Sequence, residues 1–120
     1  MKEGIVLFAH GSRAPAWARP FKKIAAQLPK KYLVRVAYLE LMRPSLGEAV
    51  KSLAIAGVKK IRVVPLFLGS GGHVRHDLPR LAARARNAHP GLRLVVEKPI
   101  GEQSKIIRAI AEAIVAGRLR

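Results

Sequence analysis

The chain has no cysteine, which excludes a disulfide framework and any thiolate metal site. A metal would have to be held by histidine, carboxylate or water. Acidic residues are scarce: 7 Asp and Glu stand against 23 Lys and Arg, giving a formal net charge of +16 over 120 residues. Such a surface attracts polyanions, whether nucleic acid, acidic membrane or a polycarboxylate small molecule. The cations are spread along the chain without a basic tract. No zinc finger, aromatic stacking strand or helix-turn-helix signature accompanies them, so no specific nucleic-acid partner is expected. Long apolar runs are missing as well. None approaches a membrane span, and Ile5–Ala9 is too short for a signal region, so a soluble cytoplasmic protein is expected. Neither GK[ST] nor GxGxxG occurs, which argues against a nucleotide loop and a nucleotide cofactor.

What is present alternates. Residues 4–9 form a continuous apolar run, as in a strand buried on both faces. Trp17, Phe21, Ile24 and Leu28 then recur at helical spacing, with Pro15 suited to the first turn and Ser12 available as a cap. Trp17 and Phe21 read as core rather than as a cofactor platform. Tyr32–Leu39 reads as a second strand, and Ser45-Leu-Gly-Glu48 as a capping box opening a helix that ends near Gly57. Ile61–Leu68 is a third strand. Asp77 is expected to cap the next helix, with Pro79 in its first turn and the stripe Leu78, Leu81, Ala82 and Ala85 facing inward. His89 falls at that helix's end. Leu92–Val96 is a fourth strand, and Ile106, Ile107, Ile110 and Ile114 mark a closing helix. The fold class is therefore α/β: a single domain over residues 1–120, three-layered, with a four-stranded parallel sheet and right-handed crossovers.

In such sheets ligands sit beyond the carboxyl ends of the strands. There the topology brings His10, Glu40 and His73, ligand types suited to a borderline divalent ion such as cobalt, iron, nickel or zinc. Gly69, Gly71 and Gly72 are expected to supply positive φ and close backbone approach to a ligand. His76 lies at the mouth of the same loop. Arg13, Arg43, Arg75 and Arg80 fall near this edge, where guanidinium groups would suit the carboxylates of a polyanionic substrate.

His10-Gly-Ser-Arg13, Tyr38-Leu-Glu40 with Pro44-Ser45, and Val64-Pro-Leu-Phe-Leu68 with Gly72-His73 and Asp77-Leu-Pro79 occur in one order along the chain. Together they resemble the CbiX/SirB sirohydrochlorin chelatases, class II chelatases that need no ATP, in their short single-domain form. The resemblance implies a flavodoxin-like chelatase fold and insertion of a divalent metal, Co2+ first and Fe2+ or Ni2+ as alternatives, into sirohydrochlorin on a cobalamin or other tetrapyrrole route. It also implies a symmetric homodimer. In the family the metal-handling histidines match His10 and His73, and the strand-end carboxylate matches Glu40. Arg13, Arg43, Gly71, Gly72, Arg75 and His76 are the expected substrate contacts. Metal ligation needs deprotonated ligands, so activity is expected to fall below the histidine range. A non-catalytic metal or tetrapyrrole carrier is the competing reading, with a basic nucleic-acid-binding module a more distant one.

Overall fold

The computed structural model describes residues 2–69 and 71–117, and for His73 the backbone alone. Four parallel strands make one sheet: β1 (Glu3–Ala9), β2 (Tyr32–Tyr38), β3 (Lys60–Pro65) and β4 (Arg93–Val96), in the order β2-β1-β3-β4. Helices α1 (Arg19–Gln27), α2 (Leu46–Ile55), α3 (Gly72–Ala88) and α4 (Ser104–Ala116) alternate with them. The α/β architecture and the parallel sheet are those expected from the alternation of strand and helix patterns.

Each face of the sheet has its own core. On one side Val6, Phe8, Ile61 and Val63 pack with Val50 and Leu53 of α2 and with Val74, Leu78, Ala82 and Ala85 of α3. Full burial of side chains of this size stabilises by roughly 1.5–3 kcal/mol each, so this face is sealed. On the other side Ile5, Leu7 and Val64 meet Ala25 and Leu28. Trp17 and Phe21 meet at a ring separation of 4.6 Å, tilted by 53°, and pack, partly buried, against Ala9, Ala18 and Tyr38, a packing role as expected. No residue of α4 is buried. A trough of about 450 Å3 remains on this face, walled by Ile5, Leu7, Ile24, Leu28, Val64, Leu66, Ile100 and, from the start of α4, Ile106. Its polar end is Arg62, anchored by Glu3 at 2.7 Å and Glu97 at 3.0 Å.

Several boundaries differ from those the sequence suggests. β3 stops at Pro65 rather than Leu68, because β1 ends at Ala9 and β4 at Val96, leaving residues 66–68 without a full ladder and bending at Leu68. The first helix is split into a 3-10 turn, Pro15–Ala18, and α1, where Pro20 falls in the first two positions and its missing N–H breaks no helical bond. Ser12 caps neither; its hydroxyl accepts the Ala14 N–H at 3.1 Å. The largest difference is in α3. Its N-cap is Gly71, not Asp77, and Pro79 lies inside the helix. Val74 sits four residues before Leu78 and is buried with it, so the apolar stripe runs one turn further back than Asp77-Leu-Pro79 suggests. Burial of that extra turn outweighs the proline, which costs roughly 3 kcal/mol in a helix interior. Asp77 instead pairs with Arg80 at 2.9 Å, one turn on.

Candidate metal-handling site at the carboxyl edge of the sheet

Parallel order puts the ends of β2, β1 and β3 side by side. β1 delivers His10, and β2 delivers Glu40 next to it. Their backbones are tied: the Leu39 N–H donates to the Ala9 carbonyl at 2.9 Å, and the Glu40 N–H donates to the His10 carbonyl at 3.1 Å. Gly11 makes this approach feasible. Its φ is +106°, and a Cβ there would lie 1.8 Å from the Glu40 carbonyl oxygen. Only a residue without a side chain fits such a contact.

The side chains converge accordingly. His10 Nε2 lies 3.6 Å from Glu40 Oε2, with the two side chains 46% and 48% exposed. That is longer than a good hydrogen bond, and both groups keep an open side. The His10 ring stands edge-on to Phe67 at 6.5 Å, and Phe67 in turn to Phe8 at 6.1 Å, so the imidazole has an aromatic wall on its β3 side. Imidazole and carboxylate with free lone pairs can hold a divalent ion or take up protons.

The loop after β2 is closed on itself. The Tyr38 N–H donates to the Pro44 carbonyl at 2.9 Å, and Arg43–Pro44 is a cis peptide. Leu41 takes φ +67°, the left-handed region, which costs a non-glycine residue roughly 1–2 kcal/mol. The expected capping box then opens α2: Ser45 Oγ accepts the Glu48 N–H at 3.2 Å, and Glu48 Oε1 accepts the Ser45 N–H at 2.9 Å. Arg43 also binds Glu48, and this guanidinium together with the Ser45 N–H holds the Glu48 carboxyl down to about 2.

The remaining expected site residues distribute as follows. His73 lies in the first turn of α3, and its side chain is outside the described residues. Gly71 and Gly72 open the same helix; Gly71 is extended at φ −74°, and none of Gly69, Gly71 and Gly72 has positive φ or a neighbour within 4 Å of a built Cβ. The expectation of positive φ at the glycines of this loop is therefore corrected. At this edge the glycine with positive φ is Gly11. Arg75 borders a cleft of about 260 Å3 whose wall includes Phe67. Arg13, Arg75 and His76 are exposed, whereas Arg43 is engaged by Glu48 and Arg80 by Asp77. His89 forms the C-cap of α3, as read. Among the described residues no three His, Asp or Glu side chains converge on one point; His10 and Glu40 form a pair.

Two features of this edge had no counterpart in the sequence reading. One is Leu41, whose backbone conformation has no signature in residue type. The other is Gly101. Its N–H donates to the Phe67 carbonyl at 2.9 Å, and a Cβ on it would lie 2.3 Å from Leu68 Cα, so it pins the exit of β3. A buried glycine after Pro99 was the available signal.

The chain is thus a parallel α/β protein with an imidazole–carboxylate pair at adjacent strand ends. Comparison with known proteins makes this specific. The CbiX family model matches residues 4–116, and the chain belongs to that family. The sirohydrochlorin cobaltochelatase of Saccharolobus solfataricus is 33% identical over 118 residues, covering 92% of each chain. Among solved structures, a cobalamin (vitamin B12) biosynthesis CbiX protein from Marinobacter aquaeolei VT8 superposes with a TM-score of 0.82 at 33% identity, covering 95% of each chain. The sirohydrochlorin chelatase SirB from Bacillus subtilis subspecies spizizenii, solved in complex with cobalt, gives 0.81 at 28% identity. That match takes in 97% of this chain but 51% of SirB.

Proposed function

We propose that this chain is a cytoplasmic sirohydrochlorin chelatase that inserts a divalent metal, Co2+ first, into sirohydrochlorin without a nucleotide. The observation that carries the reading is the His10–Glu40 pair, 3.6 Å apart and open to solvent at the carboxyl edge. In the proposed reaction the metal is a substrate. Neutral imidazoles of His10 and His73 hold it, and Glu40 completes the set or accepts a proton. The ion enters the macrocycle as two pyrrole protons leave, and the same three residues are the groups able to take them. Arg13 and Arg75 face the carboxylates of the substrate, beside Gly71, Gly72 and His76. Arg43 reaches a carboxylate only by leaving Glu48. The test follows absorbance during insertion of Co2+, Fe2+ or Ni2+ by wild type and by His10→Ala, Glu40→Ala and His73→Ala. Acceleration lost on removing either histidine is the expected result, and the fastest ion identifies the metal. Binding of cobalt and sirohydrochlorin with no acceleration would make the protein a carrier.

The proposed working unit is a homodimer. Ile107, Ile110, Ile114 and Val115 of α4 are exposed and the apolar trough beside Ile106 is open, so one molecule carries a continuous uncovered apolar surface that a second copy would bury. The half-length match to SirB is consistent with two copies making one complete unit. Sedimentation analysis should give a dimer for wild type and a monomer for Ile110→Asp. A wild-type monomer with full insertion activity would overturn this arrangement.

A further inference from the structure

Most exposed apolar side chains here have an account in the uncovered α4 face and the trough. Ile55 at the end of α2, Val95 within β4, Leu41 and Leu68 do not, and of these four only Leu41 and Leu68 stand at the carboxyl edge of the sheet. Leu41 is 56% exposed and Leu68 73% exposed, and neither belongs to any of the apolar clusters. Their placement is specific. Leu41 follows Glu40 at the end of β2, and Leu68 follows Phe67 beyond the end of β3. Because the strand order is β2-β1-β3, the exit of β1 with His10 lies between them. The strands carrying them are two spacings apart, roughly 10 Å.

Leu41 is unfavourable twice over. Its apolar side chain meets water, and its backbone holds φ +67°, where glycine or asparagine would be at ease. Neither stability nor solubility explains a leucine at this position. Both leucines also sit on backbone that cannot yield easily. Gly11 fixes the turn before Leu41 through its contact with the Glu40 carbonyl, and Gly101 fixes Leu68 through its close approach to the Leu68 backbone. The result is two apolar side chains presented from rigid supports on either side of the candidate metal-handling histidine.

We propose that Leu41 and Leu68 are substrate-contacting residues that seat the apolar ring face of the tetrapyrrole over His10. This rests on the chelatase reading and adds residues to it. A conjugated macrocycle with peripheral carboxylates has an apolar face and an anionic rim. The edge offers both chemistries: leucines flanking His10, and the exposed guanidinium groups of Arg13 and Arg75. Contact with the leucines holds the ring across the metal's path, and the arginines set its rotation.

The experiment uses the full chain, metal-free sirohydrochlorin and three readouts: ring absorbance for tetrapyrrole binding, cobalt titration, and thermal melting. Leu41→Gly relieves the backbone strain, so its melting temperature should equal or exceed that of wild type, while tetrapyrrole binding weakens roughly tenfold. Leu68→Ser should weaken binding by a similar factor. Cobalt affinity should stay unchanged in both, and Leu41→Met should restore tetrapyrrole binding. A structural leucine would instead lower the melting temperature on replacement and leave the ring affinity alone. Equal sirohydrochlorin affinity in wild type, Leu41→Gly and Leu68→Ser would overturn this assignment and leave the chelatase reading standing. Wild type that binds no sirohydrochlorin would overturn both. Loss of self-association with unchanged ring affinity would assign the leucines to a subunit contact and also overturn the proposal.

Discussion

The two loops that frame the candidate site are built on opposite plans. The exit shared by β1 and β2 is tied at every step: Gly11 against the Glu40 carbonyl, Glu40 to His10 through the backbone, Tyr38 to Pro44, and a capping box to start α2. The exit of β3 is pinned only as far as Leu68, by Gly101. Beyond it Gly69, Gly71 and Gly72 meet nothing among the described residues, and α3 opens behind Gly71 without a side-chain cap. One glycine in a crowded turn thus does more for geometry than three in an open loop. The difference suits two tasks: the fixed exit presents the His10–Glu40 pair in one arrangement, and the open exit leaves room beside it for a bulky ligand.

Substitutions at glycine test whether this contrast is real. Gly11→Ala should have the largest effect, because the new Cβ meets a backbone oxygen at 1.8 Å and φ +106° is strained for alanine. Together these should cost roughly 2–5 kcal/mol by denaturant unfolding, with insertion activity falling as Glu40 moves from His10. Gly101→Ala comes next. Its Cβ would press on Leu68 Cα at 2.3 Å, so roughly 2–3 kcal/mol should be lost, with sirohydrochlorin affinity dropping along with it. At the open exit the sign should reverse. Gly72→Ala puts alanine into the first turn of α3 with no neighbour within 4 Å and should stabilise by about 0.5 kcal/mol. If it stabilises and also slows insertion, the glycine serves the ligand. If Gly11→Ala proves as harmless as Gly72→Ala, the distinction between the two exits is gone.

How much of this could be seen in the sequence varies with the kind of interaction. β1 was visible because an apolar run buried on both faces leaves a compositional mark, the other strands because short β-branched and apolar runs stand between turn residues, and the box around α2 because Ser45 and Glu48 carry the capping chemistry in their own side chains. That His10 and Glu40 share one edge followed from parallel topology, while their pairing needed the strand order, which sets β1 beside β2. The start of α3 was not visible. Asp77 and Pro79 are strong local signals, but they compete with the burial of Val74, and tertiary packing won. Which glycine would be indispensable was hidden as well. Gly11, Gly69, Gly71 and Gly72 are alike as residues, and what separates them is whether a second chain segment passes within van der Waals distance. The same holds for Leu41, whose φ is imposed by the loop closed between Tyr38 and Pro44.

The smallest expected effect concerns the tied exit at acid pH. Glu48 links this exit to α2 by accepting from Arg43 and from the Ser45 N–H, and these contacts lower its carboxyl from 4.5 to about 2. In the unfolded chain the group recovers its ordinary value, so between about 2 and 4.5 the unfolded state binds more protons than the folded one. The contribution is therefore complete above that window and is lost as pH falls through it. The pair is solvent-exposed and screened, so the change should be slight. Thermal melting of wild type and Glu48→Gln across this range should show curves that differ at neutral pH and converge towards pH 2. Parallel curves would mean that Ser45 alone caps α2 and that the carboxylate does not help to tie the exit.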